Sequence, residues 1–162
     1  PDPFPPAGDV MKRLVWLGVA VLGAAAVGCS SDGPPNVRYG QEECAHCRMI
    51  VNDDRFAAAA VAADGEAHKF DEVCCLIDYL AAHPGGTKGL WVRGYRSGQW
   101  HDARQAYYAH GPKLQTPMGS GLAAAATKEE ADALAAEWGG KALRFDDLAD
   151  FLKKQAESAM PE

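Results

Sequence analysis

Alternating apolar and polar positions along the chain predict a series of short elements. Phe56 to Ala63 and Glu66 to Phe70 flank the turn Asp64-Gly65 and predict a β-hairpin. Val73, Leu76, Ile77 and Leu80 then recur at helical spacing, with Asp71 placed to cap the helix and His83-Pro84-Gly85-Gly86 placed to stop it. Leu90 to Tyr95 and Trp100 to Ala103 form a second hairpin across Ser97-Gly98, and a further strand runs from Leu122 to Ala126. Thr127 with Glu130 three residues on has the form of a capping box, and Gly139-Gly140 closes the helix it opens. A strand from Ala142 to Phe145 and a helix from Asp146 to about Glu157 follow. The order predicts an α+β fold with short, mostly antiparallel strands. Trp91, Tyr95, Trp100, Tyr107 and Tyr108 read as hairpin core and edge packing.

One echo suggests duplication. Phe70-Asp71-Glu72-Val73 and Phe145-Asp146-Asp147-Leu148 both lead into helices, and a Met (Met49, Met118) precedes an Ala-rich strand in each half. A duplication in that register would place the two methionines at related positions facing each other, although Asp-capped helix starts are common enough to arise by chance.

The N-terminal stretch has a different character. Residues 1–10 read as an upstream extension or scar ahead of Met11. Residues 11–28 have the form of an export signal, with basic Lys12 and Arg13 and an apolar run from Leu14 to Val27 shorter than the roughly 20 residues of a membrane span. Ala26-Val27-Gly28-Cys29 matches a lipobox, which predicts lipidation at Cys29 and membrane attachment through the lipid. Ser30 after it favours the outer membrane, facing the periplasm. Residues 29–38 form a tether whose mean reach is on the order of 17 Å, residues 39–158 one binding domain and 159–162 a tail.

Charge narrows the function. The chain is acidic, with a formal net charge of -6 and no Lys/Arg cluster, which argues against nucleic acid as a partner. Apart from Cys29, the cysteines are Cys44, Cys47, Cys74 and Cys75. Adjacent Cys74-Cys75 and the small Cys-x-x-Cys loop suit a purely structural disulfide framework poorly. In the predicted helix one of that adjacent pair faces the core as an inert small side chain, with an auxiliary thiolate as the other option.

Candidate chemistry concentrates in Cys44-Ala45-His46-Cys47-Arg48-Met49 and in Thr116-Pro117-Met118-Gly119-Ser120-Gly121. Thiolate and thioether sulfurs are soft donors, and the first-row ion that prefers them most strongly is Cu(I). The stretch after Cys47 reads as strand and turn rather than helix, unlike the helix-start cysteines of thioredoxin-type redox sites. The alternative remains a periplasmic thiol-disulfide oxidoreductase using Cys44 and Cys47. A zinc module built on all four cysteines departs from the usual two-knuckle spacing.

An ordered set of motifs resembles the NosL family of lipoprotein copper chaperones, linked to assembly of nitrous oxide reductase. It comprises Glu-Cys-x-x-Cys-x-Met at 43–49, Lys-Phe-Asp-Glu-Val-Cys-Cys-Leu at 69–76, Trp-Val-Arg-Gly-Tyr-x-Ser-Gly-x-Trp at 91–100, Asp-Ala-Arg-x-Ala-Tyr-Tyr at 102–108 and Thr-Pro-Met-Gly-Ser-Gly at 116–121. The resemblance implies duplicated ββαβ-type halves and a non-enzymatic carrier of one Cu(I). It maps sulfur ligands onto Cys47, Met49 and Met118, with Cys44 the less certain member. It implies a client cuproprotein, nitrous oxide reductase, and a membrane copper donor; homodimerisation through a shared copper stays open. The family usually has Gly between the second Cys and the Met, where this chain has Arg48. If that position requires a positive φ, a different local turn is expected here.

Overall fold

The computed structural model describes residues 33–159; the export signal and Cys29 lie outside the described residues. The elements are β1 (Ala58–Ala62), β2 (Ala67–Phe70), α1 (Val73–Ala82), β3 (Thr87–Arg93), β4 (Trp100–Asp102), β5 (Tyr107–His110), β6 (Leu122–Ala125), α2 (Lys128–Trp138), β7 (Lys141–Arg144) and α3 (Phe145–Ala159). They build two antiparallel sheets, ordered β2-β1-β3-β4 and β6-β5-β7. Each half is a ββαβ unit with its first strand in the middle of its sheet. β1, β2, α1 and β3 of one half correspond to β5, β6, α2 and β7 of the other.

The duplication runs in a different register from the one the sequence echo suggests. Topology pairs α1 with α2, whereas the Phe-Asp echo relates α1 to α3. Met49 therefore precedes the first strand of its unit, and Met118 lies between the first and second strands of the other. They are not equivalent positions.

β5 is the element that periodicity misses. It is the central strand of its sheet, paired with β6 on one side and β7 on the other, and it buries Tyr108 and Ala109 on opposite faces. With both faces covered, the period-two contrast that marks a half-buried strand is lost.

The core forms two layers around the second sheet. Tyr108, Leu122 and Ala124 join Phe70, Val73, Leu76, Leu90, Val92 and Leu148 in one cluster that spans both halves. Ala109, Ala123 and Ala125 face Leu134, Ala135 and Trp138 of α2 in the other. A parallel bridge between Gly94 and Ala124 joins the sheets, with the Tyr95 N–H donating to the Ala124 carbonyl at 2.8 Å. Val37 is already buried in the larger cluster, so the chain is anchored two residues ahead of the expected start at 39.

The helix caps differ from each other. At α2, the Thr127 side chain accepts from the Glu130 N–H, and Gly139 ends the helix at φ 73°. The Glu130 carboxylate reaches back one residue past the cap and accepts from the Ala126 N–H at 3.1 Å. At α1 the cap position is Glu72, not Asp71, and its side chain makes no cap hydrogen bond. Both acidic residues at this junction are turned to other partners.

Candidate metal centre

The first motif folds as a tight hairpin. Glu43 and Ile50 form an antiparallel bridge, and the Val51 N–H donates to the Glu42 carbonyl at 2.9 Å. Inside it the Cys44 N–H donates to the Met49 carbonyl at 2.7 Å, and the Arg48 N–H to the Cys44 carbonyl at 3.1 Å. The Ala45 N–H then ties the turn to the Lys69 carbonyl at the end of β2.

Arg48 has φ 69° and is the sole non-glycine with positive φ among the described residues. The position does require a positive φ in this chain, and Arg occupies it at about 1–2 kcal/mol of backbone strain. Its guanidinium pairs with Glu43 across the hairpin.

This hairpin meets the start of α1. One donor atom each from Cys44, Cys47, Asp71 and Cys75 lies within 4.8 Å of all the others. Cys44, Asp71 and Cys75 are buried; Cys47 is partly exposed and its Sγ donates to Asp71 Oδ1 at 3.5 Å. Asp71 Oδ2 is buried without a hydrogen-bond partner. A buried carboxyl oxygen left this way is costly unless something else takes it up, and a cation does so.

Cys44 carries the most acidic of these thiols. The Cys75 thiol donates to it, and the surrounding N–H groups of Cys47, Asp71 and His46 also draw its pKa down, against burial, from 9.0 to about 6. Burial, the neighbouring Cys44 thiolate and Asp71 push Cys47 up to about 11. Hydrogen bonds to Cys44 and Cys74, with burial, push Cys75 up as well. The cluster thus holds one ready thiolate and two thiols that release protons when a cation arrives.

The second motif is a turn with a firm anchor. Pro117 follows Thr116, and the Gly119 N–H donates back to the Thr116 carbonyl at 3.0 Å, with Gly119 at φ 73°. Glu72, fully buried, accepts from the Met118 N–H at 2.7 Å and from the Ser120 hydroxyl. Burial raises the pKa of this carboxyl, while the Met118 N–H, the Thr116 hydroxyl and the Cys74 thiol act against that.

The sequence-predicted residues therefore divide. Cys44 and Cys47 are brought together, and Met49 and Met118 stand on the two loops at 49% and 41% exposure. Asp71 is the member of the cluster that sequence reasoning missed, and Cys75 is the one of the adjacent pair that joins it, the option the sequence ranked second. Asp71 is not the helix cap, and Cys75 turns its sulfur to Cys44 rather than serving only as packing, while Cys74 turns to Glu72. The signal that could have found them is that Asp71 and Cys75 lie on either side of one strand-to-helix junction, a few residues apart in sequence. His46 lies 3.7 Å from Asp78 on the exposed side.

The NosL family model matches residues 38–152. The copper-binding lipoprotein NosL of Stutzerimonas stutzeri is 28% identical over 136 residues, covering 76% of this chain and 70% of the relative. The crystal structure of the copper chaperone NosL from Shewanella denitrificans shares the fold, with a TM-score of 0.60 at 20% identity, covering 71% of this chain and 96% of that one. The matched stretch contains both loops, the cysteine cluster and all of both ββαβ units. The chain belongs to the NosL family.

Proposed function

We propose that this protein binds Cu(I) through Cys44, Cys47, Met49 and Met118 and delivers it to a client cuproprotein, by family resemblance nitrous oxide reductase. Cys75 and Asp71 stand behind the site as a further thiol and a hydrogen-bond acceptor. The observation that carries this reading is the convergence of three cysteine sulfurs and a half-orphaned carboxyl on one point, beside loops that hold exposed methionines. Thiolates hold the ion, and neutral thioethers, weaker donors, are displaced readily when a partner offers its own ligands. Lipidation at Cys29 would keep the carrier at the outer membrane facing the periplasm, where it would take copper from a membrane donor.

The reduced, metal-free protein is titrated anaerobically with Cu(I) against a coloured chelator of known affinity. One tightly held ion per chain, with weaker binding in Met118→Leu, is the expected result. Failure to compete, or uptake of Zn2+ in preference to Cu(I), would replace the carrier with a closed structural metal site. The oxidoreductase alternative has less support: the most acidic thiol, Cys44, is sealed from solvent, where an attacking thiolate needs access.

A further inference from the structure

We propose that Glu72 is a positioning residue that fixes the Met118 thioether against the cysteine cluster, so that the Asp71-Glu72 dipeptide joins the two ligand loops. The inference rests on the carrier reading above and deepens it.

The geometry begins with the backbone at the head of α1. Glu72 is extended, with φ -153° and ψ 157°, and neighbouring side chains on extended chain face opposite ways. Asp71 accordingly turns into the cysteine cluster. Glu72 turns to the other loop, where the Met118 N–H and the Ser120 hydroxyl converge on its carboxyl. Each of these donors belongs to the Thr-Pro-Met-Gly-Ser-Gly motif.

Ordinary stability does not call for such an arrangement. A fully buried carboxyl is costly in a protein interior, and an apolar side chain of similar volume usually serves packing as well or better. What the carboxyl supplies is direction. The loop has left-handed glycines at 119 and 121 and would otherwise sample many conformations. Contact at the Met118 N–H itself holds the residue whose side chain carries the sulfur. A thioether is a weak donor, so its contribution depends on being held near the ion beforehand, and residues that orient ligands typically govern about 10–100-fold in metal affinity. α1 thus carries both loops as one unit, with Cys75 one turn further along.

Cu(I) affinity is measured by chelator competition for the full chain as wild type, Glu72→Gln, Ser120→Ala, Met118→Leu and the two double variants with Met118→Leu. Copper-edge X-ray absorption counts the sulfurs on the ion. Expected are a loss of about tenfold or more in Glu72→Gln with one sulfur fewer on copper, a smaller loss in Ser120→Ala, and no additional loss from either change once Met118 is Leu. Ser120→Ala keeps the test decisive if Glu72→Gln does not fold, because it removes one hydroxyl and leaves the buried carboxyl in place. Wild-type affinity in both Glu72→Gln and Ser120→Ala, or equal losses with and without Met118, would overturn the proposal while leaving the carrier intact. If Met118→Leu itself binds Cu(I) like wild type, Met118 is no ligand, and both that assignment and this proposal fall.

Discussion

Stability of the reduced, metal-free protein should rise with pH through a range in which most domains are insensitive, because of Cys44. Its folded-state pKa is drawn from 9.0 to about 6 by the Cys75 thiol and the surrounding N–H groups. Below about pH 6 both states keep the proton and the group contributes nothing. Between there and pH 9 the folded protein has released a proton that the unfolded chain retains, so stability climbs by about 1.4 kcal/mol per pH unit. Burial lowers the His110 pKa below 6.5, which adds a rise of the same sign confined to more acidic solution. From pH 7 to 9 Cys44 contributes a rise of about 2 kcal/mol, which Cys47 and Cys75 begin to offset as pH nears 9. Above pH 9 the slope reverses. There the unfolded chain ionises freely, while Cys47, held up to about 11, and Cys75 keep their protons in the folded state. Urea unfolding under reductant and chelator reads this as a midpoint shift of roughly 0.5–2 M from pH 7 to 9. A flat midpoint, or the same rise in Cys44→Ser, would refute the hydrogen-bonded thiolate.

Other perturbations test the frame around the site. Arg48→Gly should leave thermal stability within about 1 kcal/mol of wild type: relief of the left-handed strain is offset by glycine's greater unfolded freedom and by loss of an exposed ion pair with Glu43. A calorimetric loss well beyond that would mean the guanidinium holds the hairpin together. Gly140→Ala should destabilise by about 3 kcal/mol or more in chemical denaturation, because a Cβ there falls on the backbone carbonyl of His110 in β5. Melting like wild type would contradict the approach of the α2–β7 turn to β5. Tyr108→Phe should cost about 1–3 kcal/mol in the same assay, since the buried hydroxyl donates to the Ala103 carbonyl at 2.6 Å and its loss leaves that oxygen unpaired. An unchanged midpoint would show that water reaches it.

The sequence was most legible where one face of an element meets solvent. The hairpin of β1 and β2 turns at Asp64-Gly65, with Gly65 at φ 95°, and Thr127 caps its helix on the Glu130 N–H, while the Glu130 carboxylate goes to Ala126 rather than to the cap residue. It was least legible where burial removes contrast, as in β5, and where two sites share one residue type. Asp71 is the residue type of a helix cap, but the cap position falls one residue later, and its place in the cysteine cluster depends on the hairpin arriving from residues 42–51. Cys75 was ambiguous for the same reason. A cysteine in an apolar helix face reads as packing until the sulfur beside it is known. Cys44 and Cys47 were legible because their spacing is local.

Met49, Ile50 and Met118 are the large apolar side chains that stand in solvent among the described residues, and all three lie on the two loops rather than on the sheets or helices. Cargo that enters through such side chains is met at the surface, before it reaches Cys44 at the edge of the larger core cluster. Loading and unloading then depend on the hairpin around Cys44 and not on the cluster under α2, and the exchange rate should be independent of the packing of that second cluster. A core substitution in α2 that lowers the melting temperature would leave copper transfer just as fast, so durability and delivery can be altered separately in this fold.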